Sequence, residues 1–115
     1  MDWIRIGAWV MGFGIVVGAF GAHGLKTRIT PEHLQIYQVG VWYHLIHGLA
    51  ILLVALILVH TPHRANQVNM IFLSGIVLFS GSLYLLAVTG VKALGMITPI
   101  GGLLLIAGWL LLALR

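Results

Sequence analysis

Residues 39–59 read VGVWYHLIHGLAILLVALILV. No Asp, Glu, Lys or Arg falls in this stretch, and only His44 and His47 break its apolar character. A bilayer core about 30 Å thick needs roughly 20 apolar helical residues at 1.5 Å each, which is what this run supplies. Barrel strands are disfavoured, because they alternate apolar and polar positions and this run does not. Working outward, residues 6–25, 70–91 and 93–114 are also free of formal charge. Four spans of roughly 21 residues use most of the chain and leave three short connections and two tiny ends.

The whole composition agrees. The chain has 115 residues, of which 61% are hydrophobic and 7% charged, against about 25% charged in a soluble domain. Six Lys/Arg and two Asp/Glu cannot clothe a soluble surface. The six cations form no stripe, so no nucleic-acid partner is expected. The absence of Cys removes disulfide frameworks, thiolate metal sites and thiol nucleophiles. The fold class is therefore an all-α polytopic membrane protein, a four-transmembrane-helix bundle whose partner is the lipid bilayer. Helices satisfy their own backbone polar groups inside lipid. One domain, 1–115, is expected, with spans at about 4–25, 39–60, 69–91 and 94–114.

The boundaries carry their own chemistry. Arg5 followed by an apolar run resembles a secretory signal. However, Phe20 would stand at minus three to a cleavage after Ala22, so the stretch reads as the first span. Thr30-Pro31-Glu32 fits a helix start, with Thr as N-cap, Pro in the first turn and an acid beside it. A helix from Pro31 to Val59 would be about 43 Å long, more than the bilayer needs, and Gly40 offers a bend. Thr61-Pro62 ends the second span. Thr98-Pro99 repeats the N-cap signal. Either the fourth helix starts near Ala93 and kinks at Pro99, or residues 91–97 enter the membrane as irregular backbone buried against protein.

An even span count puts both termini and the middle loop on one side. Arg5, Arg64 and Arg115 stand there against Lys26, Arg28 and Lys92 on the other, which is a tie. The α-amine, His60 and His63 tip the termini towards the cytoplasm. Trp3 and Trp109 would share one interface and Tyr37, Trp42 and Tyr43 the other, an aromatic-belt pattern.

Two kinds of residue stand out inside the spans. Gly14-x-x-x-Gly18, extended to Ala22, makes a small-residue face suited to close helix approach. Ser74, Gly75, Ser80, Gly81 and Ser82 do the same for the third span, with hydroxyls bonded across helices or to their own backbone. Gly14, Gly18 and Gly81 are thus the expected packing glycines. The second feature is Tyr43-His44-Leu45-Ile46-His47. Positions three apart share a helix face. His23 closes the first span at the same side of the membrane. His23, His44 and His47, with Tyr84, therefore form a candidate intramembrane polar layer. Ionisable groups within spans are functional candidates by default. Neutral imidazoles also staple helices through hydrogen bonds. No cofactor is predicted outright, but haem or a metal at His23/His44/His47, or a quinone or proton relay, are the alternatives, because neutral imidazole is a common ligand. No Asp or Glu stands inside a span, which weighs against a cation-coupled carrier.

Four motifs in order, Gly18-Ala19-Phe20-Gly21-Ala22-His23-Gly24-Leu25-Lys26, Tyr43-His44 with His47, Leu78-Phe79-Ser80-Gly81-Ser82-Leu83-Tyr84 and Gly95-Met96-Ile97-Thr98-Pro99-Ile100-Gly101-Gly102, cover nearly the whole chain. In them the chain resembles a family of small bacterial inner-membrane proteins classed as a domain of unknown function, with small eukaryotic transmembrane relatives. The resemblance implies four membrane helices and no established activity, substrate or cofactor. Its pattern includes His23, His44, Tyr84 and Pro99. The expected function is a non-enzymatic membrane protein, a homo-oligomer or an accessory subunit of a membrane complex. The rival classes are a cofactor protein using the histidine layer and an oligomeric small-solute transporter or channel.

Overall fold

The structure is a computed structural model and describes residues 1–114. Arg115, counted above for orientation, lies outside the described residues. Four helices follow one another: α1 (Trp3–Phe20), α2 (Pro31–Ile57), α3 (Pro62–Thr89) and α4 (Thr98–Ala113). Among the described residues there is no strand. Together with the turns that flank them, these make four candidate membrane spans, Trp3–Leu25, Pro31–Ile57, Pro62–Thr89 and Lys92–Ala113.

Local chemistry sets the ends. The Asp2 carboxylate accepts the Arg5 amide at 3.1 Å and caps α1. Thr30 accepts the His33 amide at 3.1 Å, with Pro31 next to it in the first turn of α2. Gly90, at φ 71°, closes α3 in the left-handed conformation that favours glycine. α2 runs unbroken as a helix through Gly40. Gly40 is where the Tyr84 ring and the Ser80 hydroxyl meet α2. Pro99 stands in the first turn of α4. Neither expected course of residues 91–97 is followed in full, because Lys92–Met96 forms 3-10 turns leading into α4. Thr98 does not cap that helix. Its hydroxyl lies 2.6 Å from Ser82 Oγ on α3 and bonds there instead.

Past Phe20 the first span widens into a π turn, Gly21–Leu25. The cause is on α2. The Tyr37 hydroxyl donates to the Val17 carbonyl at 2.5 Å, and the Tyr37 ring lies where a Gly21 Cβ would be. A side chain inserted at a helix carbonyl disturbs the backbone ladder beyond it.

α2 and α3 form the central pair, with α1 packed on α2 and α4 on α3. The whole measures 47 × 26 × 18 Å. At one end Trp3 Nε1 donates to Asn66 Oδ1 at 3.2 Å. There the Arg64 guanidinium also donates to the carbonyls of Leu111 (2.7 Å), Leu112 (3.3 Å) and Leu114. These bonds gather the N-terminus, the first turns of α3 and the C-terminal end of α4. A cation on the last carbonyls of a helix suits the negative end of its dipole. Trp3 and Trp109 thus turn their indole N–H groups inward to polar partners, Asn66 and His47, rather than serving only as an interfacial belt.

The helices interlock through glycine sockets. On α1, Gly7 receives Leu52, Gly14 receives Leu45 and His44, and Gly21 receives Tyr37. Between α3 and α4, Phe72 seats on Gly108, Leu105 on Gly75 and Phe79 on Gly101. Lipid offers no hydrophobic drive for helices to associate, so such close van der Waals contact holds the bundle.

This corrects the expected packing face. The seam of α1 repeats every seven residues, at Gly7, Gly14 and Gly21, because a seven-residue step stays on one seam whereas successive steps of four rotate off it. Of the expected face, Gly14 is a socket and a Cβ at Gly18 would lie a tight 3.2 Å from Val41, but Ala22 is exposed. Gly81 meets nothing within 4 Å, since it faces a gap between α3 and α1. Gly14→Leu is expected to cost about 1–3 kcal/mol through overpacking. Leu should be accepted at Gly12, where nothing lies within 4 Å. Thermal melts of the two variants in detergent check this, and equal losses would contradict it.

Candidate functional site: the intramembrane histidine pair

α2 carries Tyr43, His44 and His47 through the middle of the bundle. Three residues apart, the two imidazoles lie on neighbouring parts of one face and are buried, at 4% and 5% exposure. His44 is held between two helices. Its Nδ1 lies 2.8 Å from Tyr84 Oη on α3, and its Nε2 lies 2.8 Å from the Val10 carbonyl on α1. His47 Nδ1 lies 2.8 Å from the Tyr43 carbonyl one turn back. Its Nε2 accepts the Trp109 indole N–H of α4 at 2.9 Å. Phe72 packs against both rings of that pair, with centroids 5.5 Å from His47 and 5.0 Å from Trp109.

The partners assign the protons. A carbonyl only accepts, so His44 carries hydrogen on Nε2 and His47 on Nδ1. An indole only donates, so His47 Nε2 is bare. For neutral His44, the bare Nδ1 accepts the Tyr84 hydroxyl. The two rings are therefore opposite neutral tautomers. Through them α2 is tied to α1 at Val10, to α3 at Tyr84 and to α4 at Trp109. Further hydrogen bonds reinforce the same seams. Ser80 Oγ donates to the Gly40 carbonyl at 2.6 Å, and Asn69 Nδ2 to the Ile51 carbonyl at 3.1 Å.

The expected layer assembles only in part. His44, His47 and Tyr84 gather in the bundle interior, but His23 does not join them. It sits in the π turn with its side chain exposed. Two residues past Gly21, it is rotated by about 200° from the face that meets α2. It is also nine residues beyond Gly14, which touches His44, a rise of about 13 Å. Among the described residues no three His, Cys, Asp or Glu side chains cluster so as to hold a metal. A ligand on His44 would have to displace Tyr84 or Val10. One on His47 would have to displace Trp109 or the Tyr43 carbonyl.

Three partners escaped the sequence: Val10, Asn69 and Trp109. Val10 acts through its backbone, so its side chain gives no signal. Trp109 does give one, because a Trp in an apolar helix needs an acceptor for its N–H, but nothing local points 62 residues back to His47.

Comparison with known proteins follows the same lines. Residues 17–102 match the family described as "Protein of unknown function (DUF423)". A UPF0382 membrane protein of Staphylococcus haemolyticus is 42% identical over 109 residues, covering 95% of this chain and 89% of the relative. One of Staphylococcus epidermidis is 43% identical over 111 residues, covering 96% and 91%. UPF0382 membrane protein YwdK of Bacillus subtilis is 40% identical over 111 residues, covering 95% and 90%. No solved structure matches. A four-helix membrane chain, matched to these relatives over nearly its whole length, belongs to the DUF423 family of small membrane proteins of unknown function.

Proposed function

We propose that this chain is a non-enzymatic protein of the bacterial inner membrane that works as a building block of a larger assembly, formed from copies of itself or with it as an accessory subunit. The observation that carries this reading is that all four ring nitrogens of the buried histidine pair are engaged by neighbouring groups of the bundle. General acid–base or ligand chemistry needs a group free to exchange a proton or a donor atom. The two acids, Asp2 and Glu32, are exposed at helix starts. The seam between α2 and α3 is filled by Ile51, Val54, Val68 and Phe72, each fully buried, which speaks against a solute path along it. α1 packs mainly on α2 and α4 mainly on α3, and both turn large side chains outward, with Trp9 80% and Leu103 67% exposed. The α-amine, His60 and His63 favour termini on the cytoplasmic side.

Native mass spectrometry of the protein released from its own membrane tests the reading. The expected species is a defined multiple of the chain or a complex with a stoichiometric partner. A lone monomer under conditions that preserve other membrane complexes would contradict it.

A further inference from the structure

α1 and α3 draw together near Trp3 and Asn66 at one end of the bundle. Between the two helices, over α2, a groove of about 440 Å³ remains. Trp9 and Phe13 form one wall and Leu73 to Tyr84 the other, with His44 as the floor. Gly81 keeps it open, since a Cβ added there would meet nothing within 4 Å. The polar side chains that border the groove are turned to other groups: His44 to Val10 and Tyr84, and Ser80 to the Gly40 carbonyl. The groove therefore offers carbon to whatever enters it.

Its dimensions and surroundings point to the occupant. The wall from Leu73 to Tyr84 spans eleven helical steps, about 16 Å. One leaflet's share of a hydrocarbon core about 30 Å thick is about 15 Å. Trp9 and Phe13 on its rim are 80% and 62% exposed, so in a bilayer the groove opens sideways onto lipid chains. The Tyr84 end faces the α1–α2 and α3–α4 connections. Leu25 and Ile29 pack in the same cluster as Tyr84. Between them in sequence stand the exposed Lys26 and Arg28, and Lys92 is exposed just beyond Gly90. Glu32 is the one acid at this end, and among the described residues the ion pair found is Arg5 with Asp2, at the other end. These cations face the headgroup layer without an internal counter-charge.

We propose that the α1–α3 groove seats one hydrocarbon chain of an anionic phospholipid, whose phosphate is held by Lys26, Arg28 and Lys92. The carbon-lined groove accepts the chain, and the charge at its Tyr84 end selects the headgroup. Juxtamembrane cations favour anionic lipid by about five-fold each.

The test uses the whole protein in phosphatidylcholine vesicles doped with phosphatidylglycerol or phosphatidylcholine probes bearing a photoreactive diazirine on the acyl chain. The expected adducts fall on Trp9, Phe13, Leu73 or Val77, at least about five-fold more from the phosphatidylglycerol probe. A Cβ at Gly81 meets nothing within 4 Å and the groove has room for the rest of the side chain, so Gly81→Leu should melt like the parent while groove labelling is lost. Lys26→Gln, Arg28→Gln and Lys92→Gln combined should keep groove labelling and erase the headgroup preference. Adducts spread evenly over the outward faces of α1 and α4 would overturn the proposal. So would undiminished groove labelling in folded Gly81→Leu, equal labelling by both probes in the parent, or photo-crosslinks from groove residues to a second copy of the chain.

Discussion

Gly101→Ala should be the most damaging single-methyl change in this protein. A Cβ at Gly101 would strike the Phe79 backbone nitrogen, with Phe79 Cα at 2.7 Å and the Leu78 carbonyl carbon at 2.8 Å. Backbone cannot rotate away as a side chain does, so α4 would have to withdraw from α3. That withdrawal would also loosen Phe72 from Gly108 and Leu105 from Gly75, which share the interface. Overpacking ordinarily costs 1–3 kcal/mol, and a rigid contact in a bundle held by close packing belongs at about 3 kcal/mol or above. The neighbouring Gly102 provides the control. Its Cβ would lie 3.5 Å from the Phe79 ring, an ordinary contact, and Ala is the better helix former. Gly102→Ala should therefore match the parent or exceed it by up to about 1 kcal/mol. Thermal or denaturant unfolding of both variants in one detergent measures the difference. Similar stability for the two would mean that α3 and α4 are not in backbone contact at Gly101.

His44→Ala should follow closely, with a loss of about 2–4 kcal/mol. The change removes the bonds to Tyr84 and Val10 and leaves the Tyr84 hydroxyl without its acceptor. An orphaned buried polar group costs about 1–3 kcal/mol, and the vacated ring volume adds a cavity term. His23→Ala, at an exposed position, should stay within about 0.5 kcal/mol of the parent. A double-mutant cycle between His44→Ala and Tyr84→Phe should show positive coupling, since the two side chains share one bond. Equal effects at His23 and His44, or no coupling to Tyr84, would remove His44 from the centre of the bundle.

The parts of the molecule that could be read in the sequence are those fixed by neighbours along the chain. The span lengths follow from apolar runs. Thr30-Pro31 marks the start of α2, and Pro99 stands in the first turn of α4 as its ring requires, whereas Thr61-Pro62, read as the end of the second span, also opens α3 about seven residues before the expected third span. Thr98-Pro99 looks identical to Thr30-Pro31, yet Thr98 bonds to Ser82 because α3 lies beside it. The sequence holds no trace of that proximity. Gly14 and Gly18 share a face on an isolated helix. Once α2 supplies Leu52, Leu45 and Tyr37 as knobs, the face that counts is Gly7, Gly14 and Gly21. His23 was placed by depth, which topology sets, but its direction is set by helix phase. The pairing of His47 with Trp109 depends on α4 folding back across α2, which no local pattern encodes.

The account rests on His44 and His47 serving as hydrogen-bonded ties between helices. Nitrogen-15 magnetic resonance of histidine-labelled protein in a lipid bilayer at neutral pH tests this most directly, with His44→Gln and His47→Gln used to assign the signals. The account predicts two neutral rings of opposite tautomer, His44 protonated on Nε2 beside Tyr84 and His47 on Nδ1 with Trp109 donating to its bare Nε2. Two rings of the same tautomer, a doubly protonated ring, or a nitrogen shifted by a bound metal would contradict it.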